Sequence, residues 1–303
     1  MQRKRLGRSE LEVGEIGFGC MSLGTNAKTA TRLVHHAIHE GVNLFDTADL
    51  YDQGRNEEIL GKALRGRRNK VVIATKVGNR FDVGKPGWNW DPSPAYILQA
   101  VEQSLRRLET DYIDLYQLHG GTMDDPFDSI VETFERLKEK GWIRAYGISS
   151  IRPNVIRRFL SGSNVDTIMM QYSLLDRRPE EWFGDIEQRG VSIIARGPLA
   201  RGLLSGTGKQ LPAGETYVDR TAEQVAMAQD AVESLANNVR TASQVSLRYA
   251  LNPPVVSVAI PGASRFSQLT DNIGAAQVMP LTDAEIAWLN GASEQNRYVE
   301  HRP

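Results

Sequence analysis

The chain has 303 residues, of which 41% are hydrophobic and 24% are charged, with a formal net charge of −1 and a single cysteine, Cys20. The near-neutral charge gives no reason to expect a nucleic-acid partner, and no apolar run approaches the ~20 residues that a membrane span needs. A single cysteine excludes an intramolecular disulfide, so we expect a cytoplasmic protein. A chain of this length can form a core large enough to fold without a disulfide or a structural metal.

Strand-like and helix-like segments alternate along the chain. The strand-like segments are 15–19, 43–48, 71–76, 111–119, 143–149, 165–171, 191–196 and 255–260. The helix-like segments lie near 29–40, 56–64, 179–189, 221–237, 241–251 and 265–273, and three more begin at Ser93-Pro94, Asp125-Pro126 and Pro153. Strict alternation of this kind predicts a parallel sheet covered by helices.

About eight βα units favour an α/β fold of the closed (β/α)8 TIM-barrel type over an open doubly wound sheet. No GxGxxG follows the first strand, which weakens the alternative of an open, Rossmann-type sheet. We find no linker and expect one domain over residues 1–303. Residues 3–13 are expected to form an N-terminal β-hairpin, and 281–289 begin with a T-x-x-E capping box, which predicts an extra C-terminal helix.

Polar side chains end several of the predicted strands. Asp46, Lys76 and His119 end the second, third and fourth strands, and Ser149 and Gln171 end the fifth and sixth. Steps of two along the strands put the following residues on the same inward face: Val42, Leu44, Val72, Ala74, Leu115, Gln117, Ala145, Gly147, Thr167 and Met169. Because barrel active sites lie at the C-terminal mouth, we expect these polar groups to meet there.

Each of these residues also has an ordinary structural interpretation. Asp46 alone is more often a strand-end or helix-capping acid, and Lys76 alone is more often a rim lysine. His119 alone is more often a structural histidine, and Tyr51, five residues after Asp46, is most often half-buried packing. The ordinary interpretations weaken when all four fall beside one mouth, although a slip of one residue would turn the strand residues outward.

Together the four residues suit the reduction of a carbonyl group. A phenol is a weak acid at neutral pH, but a lysine ammonium beside it stabilises the phenolate, and a carboxylate such as Asp46 keeps that lysine charged. His119 is positioned to orient a substrate oxygen as it becomes an alkoxide. No side chain can supply the hydride, so a nicotinamide cofactor is implied.

Motifs along nearly the whole chain resemble those of the aldo-keto reductase family, in the family's order. They are "GFGCMSLG" (17–24), "NLFDTADLYDQGRNEEILGKAL" (43–64), "VIATKVG" (72–78), "LRRLETDYIDLYQLH" (105–119), "IRAYGISS" (143–150), "MMQYSLL" (169–175), "GPLARGLLSG" (197–206) and "IPGASRFSQLTDN" (260–272). The chain looks closer to the bacterial branch related to potassium-channel β subunits. The resemblance implies a TIM barrel using NADPH, with Tyr51 as proton donor and Asp46, Lys76 and His119 as its partners.

The resemblance also implies a set of cofactor-binding residues. Those for the nicotinamide and its ribose are Gly19, Cys20, Met21, Asp46, Ser149, Ser150, Gln171 and Arg196. Those for the pyrophosphate are Gly197, Pro198, Leu199, Ala200 and Gly202, and those for the adenosine end are Gly262, Ser264, Arg265, Gln268 and Asn272. A helix start with a hydroxyl and a guanidinium suits a 2′-phosphate, which favours NADPH over NADH. The ordinary alternative is a capped helix start with a surface arginine.

Arg196 departs from the family pattern, because it stands where an aromatic residue often stacks on the nicotinamide. A guanidinium plane also stacks on rings but adds a positive charge, which predicts altered cofactor affinity or a preference for acidic substrates. The alternative is that Arg196 pairs with an acid, away from the ring.

Segment 81–94 follows the third strand and is expected to overhang the mouth. Trp88 and Trp90 then either form an apolar substrate wall beside Tyr51 and His119 or pack the loop onto the barrel, and the two alternatives have equal weight. No metal site is predicted, because the adjacent pair His35-His36 diverges on a helix.

Three functions are compatible with these residues. The leading hypothesis is an NADPH-dependent reductase of small-molecule aldehydes or ketones. The second is a barrel lyase that uses Lys76 as a Schiff base. The third is a nicotinamide-sensing binding protein with slow turnover. The sequence leaves the carbonyl substrate and the oligomeric state open.

Overall fold

The computed structural model describes residues 1–212 and 214–302. The strands are β1 (Arg3–Arg5), β2 (Glu12–Gly14), β3 (Phe18–Gly19), β4 (Leu44–Asp46), β5 (Val72–Val77), β6 (Asn79–Arg80), β7 (Asn89–Trp90), β8 (Ile113–Leu118), β9 (Ile143–Ser149), β10 (Thr167–Gln171), β11 (Ser192–Arg196) and β12 (Val256–Ile260). The helices are α1 (Ala27–His39), α2 (Arg55–Ala63), α3 (Pro94–Leu108), α4 (Phe127–Glu139), α5 (Pro153–Gly162), α6 (Phe183–Gln188), α7 (Ala222–Leu235), α8 (Ala242–Leu251), α9 (Phe266–Gly274) and α10 (Asp283–Ala292).

Eight of these strands form one parallel sheet, in the order β12-β11-β10-β9-β8-β5-β4-β3. Parallel bridges from Ile16 to Ala259 and from Gly19 to Gly262 join the first strand to the last. The sheet is therefore a barrel, and the predicted (β/α)8 TIM fold is confirmed. No helix in the described ranges 1–212 and 214–302 is long and apolar enough to cross a membrane.

The barrel interior is apolar and is closed at one end by the N-terminal hairpin. The buried cluster inside it consists of Leu6, Leu11, Val13, Leu44, Val72, Ala74, Leu115, Ala145, Met169, Ile194, Val258 and Ile260. The first three come from the β1–β2 hairpin, and Lys4 donates a hydrogen bond to the carbonyl of Val256 at the start of β12. The predicted hairpin is confirmed, and it caps the N-terminal end of the strands. Ligands therefore have access from the C-terminal mouth.

The sequence predicted which side chains face the barrel interior. The prediction is right for the positions within the strands, but it is wrong for Val42. Val42 packs in the outer cluster between strands and helices. It precedes β4, and its N–H bonds to the carbonyl of Ala37 at the end of α1, so it does not share the strand's alternation.

Helices begin where the sequence signals placed them, with different contacts at each start. Ser93 caps α3 by accepting from the N–H of Tyr96, and Thr282 with Glu285 forms the predicted capping box of the extra C-terminal helix α10. Asp125, by contrast, does not cap α4, since its carboxylate accepts from the N–H of Thr122 and from the indole of Trp90. The Asp125 carboxylate thus bonds to Trp90 and Thr122 instead of to the first N–H groups of α4.

The segment after β5 contains a hairpin that the sequence did not predict. Asn79 pairs with Trp90, and Arg80 pairs with Asn89, in an antiparallel two-stranded sheet. Strands of two residues are too short to show an alternating pattern, so nothing in the sequence separated them from a loop. The β6–β7 hairpin rises from the same end of the barrel as the predicted site.

Candidate active site

Lys76 and Asp46 form a buried ion pair at the mouth of the barrel. Lys76 lies near the end of β5 with none of its surface exposed, and Asp46 ends β4 with 3% exposed. The Lys76 Nζ donates to Asp46 Oδ2 at 2.8 Å and to the carbonyl oxygen of Thr47 at 2.6 Å. The third contact of the ammonium is the hydroxyl of Tyr51, at 3.4 Å.

Tyr51 reaches this ammonium from the turn that follows β4. It opens the short helical turn Tyr51–Gly54, and its ring centroid lies 4.9 Å from the Lys76 Nζ. The His119 ring stands nearly perpendicular to it, at 82° and 6.1 Å between centroids. Tyr51 and His119 are half-buried, while Asp46 and Lys76 are buried. The structure thus brings the four predicted residues together, with the hydroxyl and the imidazole on the open side.

Lys76 is held in its charged form by its neighbours. Burial alone would lower the pKa of Lys76, but the charge of Asp46, the nearby Tyr51 and their hydrogen bonds raise the pKa above its ordinary value. The side chain is therefore an ammonium at neutral pH. Such a group stabilises negative charge on an adjacent oxygen, which is the role that a developing phenolate requires.

His119 is neutral at physiological pH. The residue follows β8, and its backbone N–H donates to the carbonyl of Val77 at 2.7 Å. Burial, followed by the positive charges of Lys76 and Arg196, lowers the pKa of His119 to about 3. Its buried Nδ1 makes no hydrogen bond in the described part of the chain. A neutral imidazole can orient an oxygen by hydrogen bonding. It lacks the acidic proton of an imidazolium, so it does not act as the acid itself.

The residues predicted for the nicotinamide line the neighbouring strand ends. Ser149 and Ser150 are buried where β9 ends. Gln171 ends β10, and its amide is bonded on both sides. Its Oε1 accepts from Arg196 Nη1 at 3.0 Å, and its Nε2 donates to the Tyr217 hydroxyl at 3.4 Å. The partner of Arg196 is therefore an amide, not the acid that the alternative interpretation required.

Gly19 ends β3, and Cys20 and Met21 lie in the short helical turn Cys20–Ser22 that follows it. A Cβ on Gly19 would lie 2.9 Å from the carbonyl oxygen of Ile260, so the backbone passes too close to the last strand for a side chain. Burial raises the pKa of the Cys20 thiol, which packs in the outer cluster between strands and helices and donates to the carbonyl of Phe18. Met21 is exposed. Of these predicted contacts, Cys20 has only its backbone to offer a ligand at the mouth.

The loop predicted for the pyrophosphate is a compact turn after β11. Residues Gly197, Ala200, Arg201 and Gly202 all have positive φ, at 63°, 48°, 58° and 88°. Pro198 and Leu199 lie between them. These left-handed residues fold the backbone back on itself, with the N–H of Ala200 donating to the carbonyl of Gly197 and the N–H of Gly202 donating to that of Leu199.

The segment predicted for the adenosine end leads into α9. Arg265 is the N-cap residue, has no side-chain cap bond and is exposed. The N–H and hydroxyl of Ser264 both donate to Gln268 Oε1, at 3.1 and 3.2 Å. Asn272 donates to the carbonyl of Gly262 at 3.2 Å. The helix start thus carries an open guanidinium beside backbone N–H groups.

The two tryptophans of segment 81–94 have different environments. The Trp90 indole donates to Asp125 Oδ1 at 2.8 Å, and a Cβ on Gly78 would lie only 2.5 Å from its ring. Trp90 therefore packs the β6–β7 hairpin onto the barrel. Trp88 is 54% exposed near the hairpin tip. The substrate-wall interpretation thus rests chiefly on Trp88.

Sequence reasoning missed residues that complete the site. Thr47 accepts from Lys76 through its carbonyl, and its hydroxyl donates to Asn56, whose amide donates to the carbonyl of Cys20. A backbone contact leaves no side-chain signal in a sequence. Tyr217 contacts Gln171 from a long loop 46 residues away, where no periodic pattern points to it.

Comparisons with known proteins agree on one family. The sequence model of the Aldo/keto reductase family matches residues 15–294. The chain is 50% identical over 308 residues to the uncharacterized oxidoreductase YqkF of Bacillus subtilis (strain 168), with both chains covered fully. Its structure is similar to aldo-keto reductase AKR11C1 from Bacillus halodurans in the holo form, at a TM-score of 0.95, 51% identity and full coverage of both chains. The apo form of AKR11C1 matches at a TM-score of 0.85 and 46% identity, again over both full chains.

The lowered pKa of His119 predicts a pH-dependent loss of stability. In the unfolded chain His119 takes up a proton below its ordinary pKa of 6.5, whereas in the folded protein it stays neutral down to about pH 3. The contribution of His119 to the free energy of unfolding is therefore fully present above pH 6.5 and is lost progressively as the pH falls. At pH 4.5 this amounts to about 2–3 kcal/mol. Urea unfolding at pH 7.5 and 4.5 should therefore show a smaller loss for His119→Asn than for the wild type. Equal losses would contradict the burial of a neutral imidazole.

Proposed function

The chain belongs to the aldo/keto reductase family of oxidoreductases, and on this premise we propose that it reduces an aldehyde or ketone to an alcohol with NADPH. The observation that carries the proposal is the ammonium of Lys76, which contacts Asp46, the Thr47 carbonyl and the Tyr51 hydroxyl. A small-molecule carbonyl compound is the proposed substrate, and the cytoplasm is the proposed location.

Tyr51 is the proposed proton donor. A carbonyl oxygen becomes an alkoxide as the carbon gains a hydride, and it then needs a proton. The Tyr51 hydroxyl lies 3.4 Å from the Lys76 Nζ, so the phenolate left after proton transfer faces a positive charge. Asp46 and the Thr47 carbonyl hold that ammonium from the other side, which keeps it from withdrawing.

His119 is the proposed orienting group for the substrate oxygen. Its ring is nearly perpendicular to that of Tyr51, so an oxygen between the two can approach the hydroxyl and an imidazole nitrogen together. The low pKa of His119 keeps it neutral, which assigns the proton to Tyr51 and the hydrogen bond to His119.

A nicotinamide cofactor would supply the hydride when bound. Ser149, Ser150 and Gln171 are the residues proposed to hold its carboxamide, and the bonds from Arg196 and Tyr217 fix the orientation of the Gln171 amide. Arg196 is proposed to lie against the ring where relatives often have an aromatic residue. The similarity of the chain to a holo form of AKR11C1 supports the proposal that it binds a cofactor.

The remaining contacts favour a phosphorylated dinucleotide. The 197–202 turn is proposed to bind the pyrophosphate, and the start of α9 is proposed to bind the 2′-phosphate of NADPH. Arg265 is exposed there and offers a charge-assisted, bidentate partner for a phosphate, while the uncapped N–H groups of α9 add the helix dipole.

The competing lyase hypothesis requires a neutral amine at Lys76. The raised pKa of Lys76 keeps the nitrogen protonated, and Asp46, Thr47 and Tyr51 occupy its hydrogens. A protonated amine cannot attack a carbonyl carbon, so this geometry favours reduction over Schiff-base chemistry.

Replacing Tyr51 by phenylalanine removes the hydroxyl and keeps the ring. We expect the NADPH-dependent turnover of a panel of aldehydes and ketones to fall by about 10²–10⁴-fold, because the general acid is lost. The dissociation constant of NADPH should change by less than about twofold, since no proposed cofactor contact involves this hydroxyl. Steady-state NADPH oxidation and nucleotide fluorescence measure the two quantities.

The matched control for this experiment is Tyr112→Phe, because Tyr112 lies at the opposite end of the barrel, before β8. Full activity of Tyr51→Phe would overturn the assignment of the acid. A wild-type protein that binds NADPH tightly but turns over every carbonyl slowly would instead support the nicotinamide-sensing hypothesis.

Replacing Arg265 by alanine should weaken the binding of NADPH much more than the binding of NADH. We expect the dissociation constant of NADPH to rise by about 10–100-fold, as the loss of a charge-assisted hydrogen bond implies, with that of NADH nearly unchanged. Fluorescence titration with each nucleotide checks this, and Arg157→Ala on the exposed face of α5 is the control. Equal weakening of both cofactors would contradict a 2′-phosphate site at Arg265.

A further inference from the structure

The side chain of Gln53 joins two loops beside the active site. Gln53 follows Tyr51 by two residues, and its Nε2 donates to the carbonyl of Lys85 at 2.7 Å. Its Oε1 accepts from the N–H of Gly84 at 2.8 Å. Both partners are backbone groups at the tip of the β6–β7 hairpin. A single amide thus uses its donor and its acceptor together, which neither a carboxylate nor an aliphatic side chain can do.

The backbone at Gln53 adopts a conformation that glutamine rarely takes. Asp52 and Gln53 have φ of 48° and 52°, in the left-handed region, and Gly54 follows at 87°. Aspartate tolerates this region and glycine favours it, but a glutamine there carries steric strain from its Cβ. Such strain persists only where the surroundings hold it, and it concentrates at functional sites. Here it turns the amide of Gln53 toward the hairpin.

The base of the hairpin is attached to the strands that carry Lys76 and His119. Asn79 donates to the carbonyl oxygen of His119 at 3.3 Å, and the Trp90 ring packs against Gly78 and Gly120. The base therefore spans the gap between the ends of β5 and β8. The hairpin extends from this fixed base toward the Tyr51 turn.

The tip of the hairpin has few other attachments. Val83 is 81% exposed and Trp88 is 54% exposed, so neither side chain anchors it. Apart from bonds within the tip itself, Gln53 makes the only hydrogen bonds to segment 81–88 in the described part of the chain. Removing the Gln53 amide would therefore free the tip while leaving the base in place.

From these contacts we infer that Gln53 is a positioning residue that fastens the β6–β7 hairpin beside Tyr51, so that the hairpin forms one wall of the substrate site. The Tyr51 turn and the hairpin then move as one unit, and the wall is ready before the substrate arrives. The substrate role rests on the proposed carbonyl reduction, whereas the attachment of the hairpin does not.

Amide hydrogen exchange of the full chain tests the attachment without any substrate. Gln53→Ala should speed exchange of the Gly84 N–H by about tenfold or more, because its acceptor is lost. Gln53→Glu keeps an acceptor but no donor and should give an intermediate rate. Gln53→Gly relieves the backbone strain and should match Gln53→Ala. Gln103→Ala, at an exposed position of α3, is the control and should leave the rate unchanged.

Steady-state kinetics with NADPH test the substrate role. With 2-naphthaldehyde, Gln53→Ala should raise KM by about fivefold with kcat within about twofold, and with propanal, which is too small to span the site, both should stay near wild type. A residue that merely stabilised the Tyr51 turn would lower kcat for both aldehydes instead, and that result would overturn the substrate role.

The two measurements fail separately. Unchanged exchange at Gly84 in Gln53→Ala would overturn the attachment, whatever the activity. Retained protection in Gln53→Gly would also overturn it, because the backbone turn alone would then hold the tip. A wild-type chain that reduces no carbonyl would overturn the proposed function alone, and the exchange rates would still decide whether Gln53 holds the hairpin.

Discussion

A lysine ammonium with no exposed surface must be paired, because an unpaired buried charge costs several kcal/mol. Lys76 meets this constraint with three oxygens, from Asp46, from the carbonyl of Thr47 and from Tyr51. Two of them belong to the strand end and turn that precede Tyr51. The interactions that stabilise the buried charge therefore also fix where the tyrosine hydroxyl stands. The pairing of Lys76 therefore both stabilises the core and positions the proposed acid, Tyr51.

The barrel supplies the geometry that this pair needs. β4 and β5 are parallel neighbours with Asp46 opposite Ala74, so Lys76 lies two residues beyond that level and reaches back to the carboxylate. Apolar layers below the pair keep water out, and the N-terminal hairpin covers the far end. Water is excluded on one side only, which strengthens the electrostatic contacts while the mouth stays open to ligands.

The alternation of about eight strand-like and helix-like segments was enough to predict the barrel. The alternation of residues along each strand was enough to bring Asp46, Lys76 and His119 to one rim, because a parallel barrel sends every second side chain inward. Their catalytic and binding roles stay predictions. The sequence could not show Thr47, which acts through its carbonyl, or Gln53, whose partners are backbone atoms 31 and 32 residues away. Contacts made through the backbone or across distant loops leave no periodic trace.

The central proposal is that NADPH bound at this site would supply a hydride to a carbonyl carbon, while Tyr51 supplies a proton to its oxygen. The most direct test is to incubate the protein with an aldehyde and NADPH that carries deuterium at both C4 positions, and to analyse the alcohol by mass spectrometry. The account predicts a single deuterium on the former carbonyl carbon, with alcohol formed in step with NADPH oxidised. Alcohol free of deuterium, or NADPH oxidised without alcohol, would contradict it.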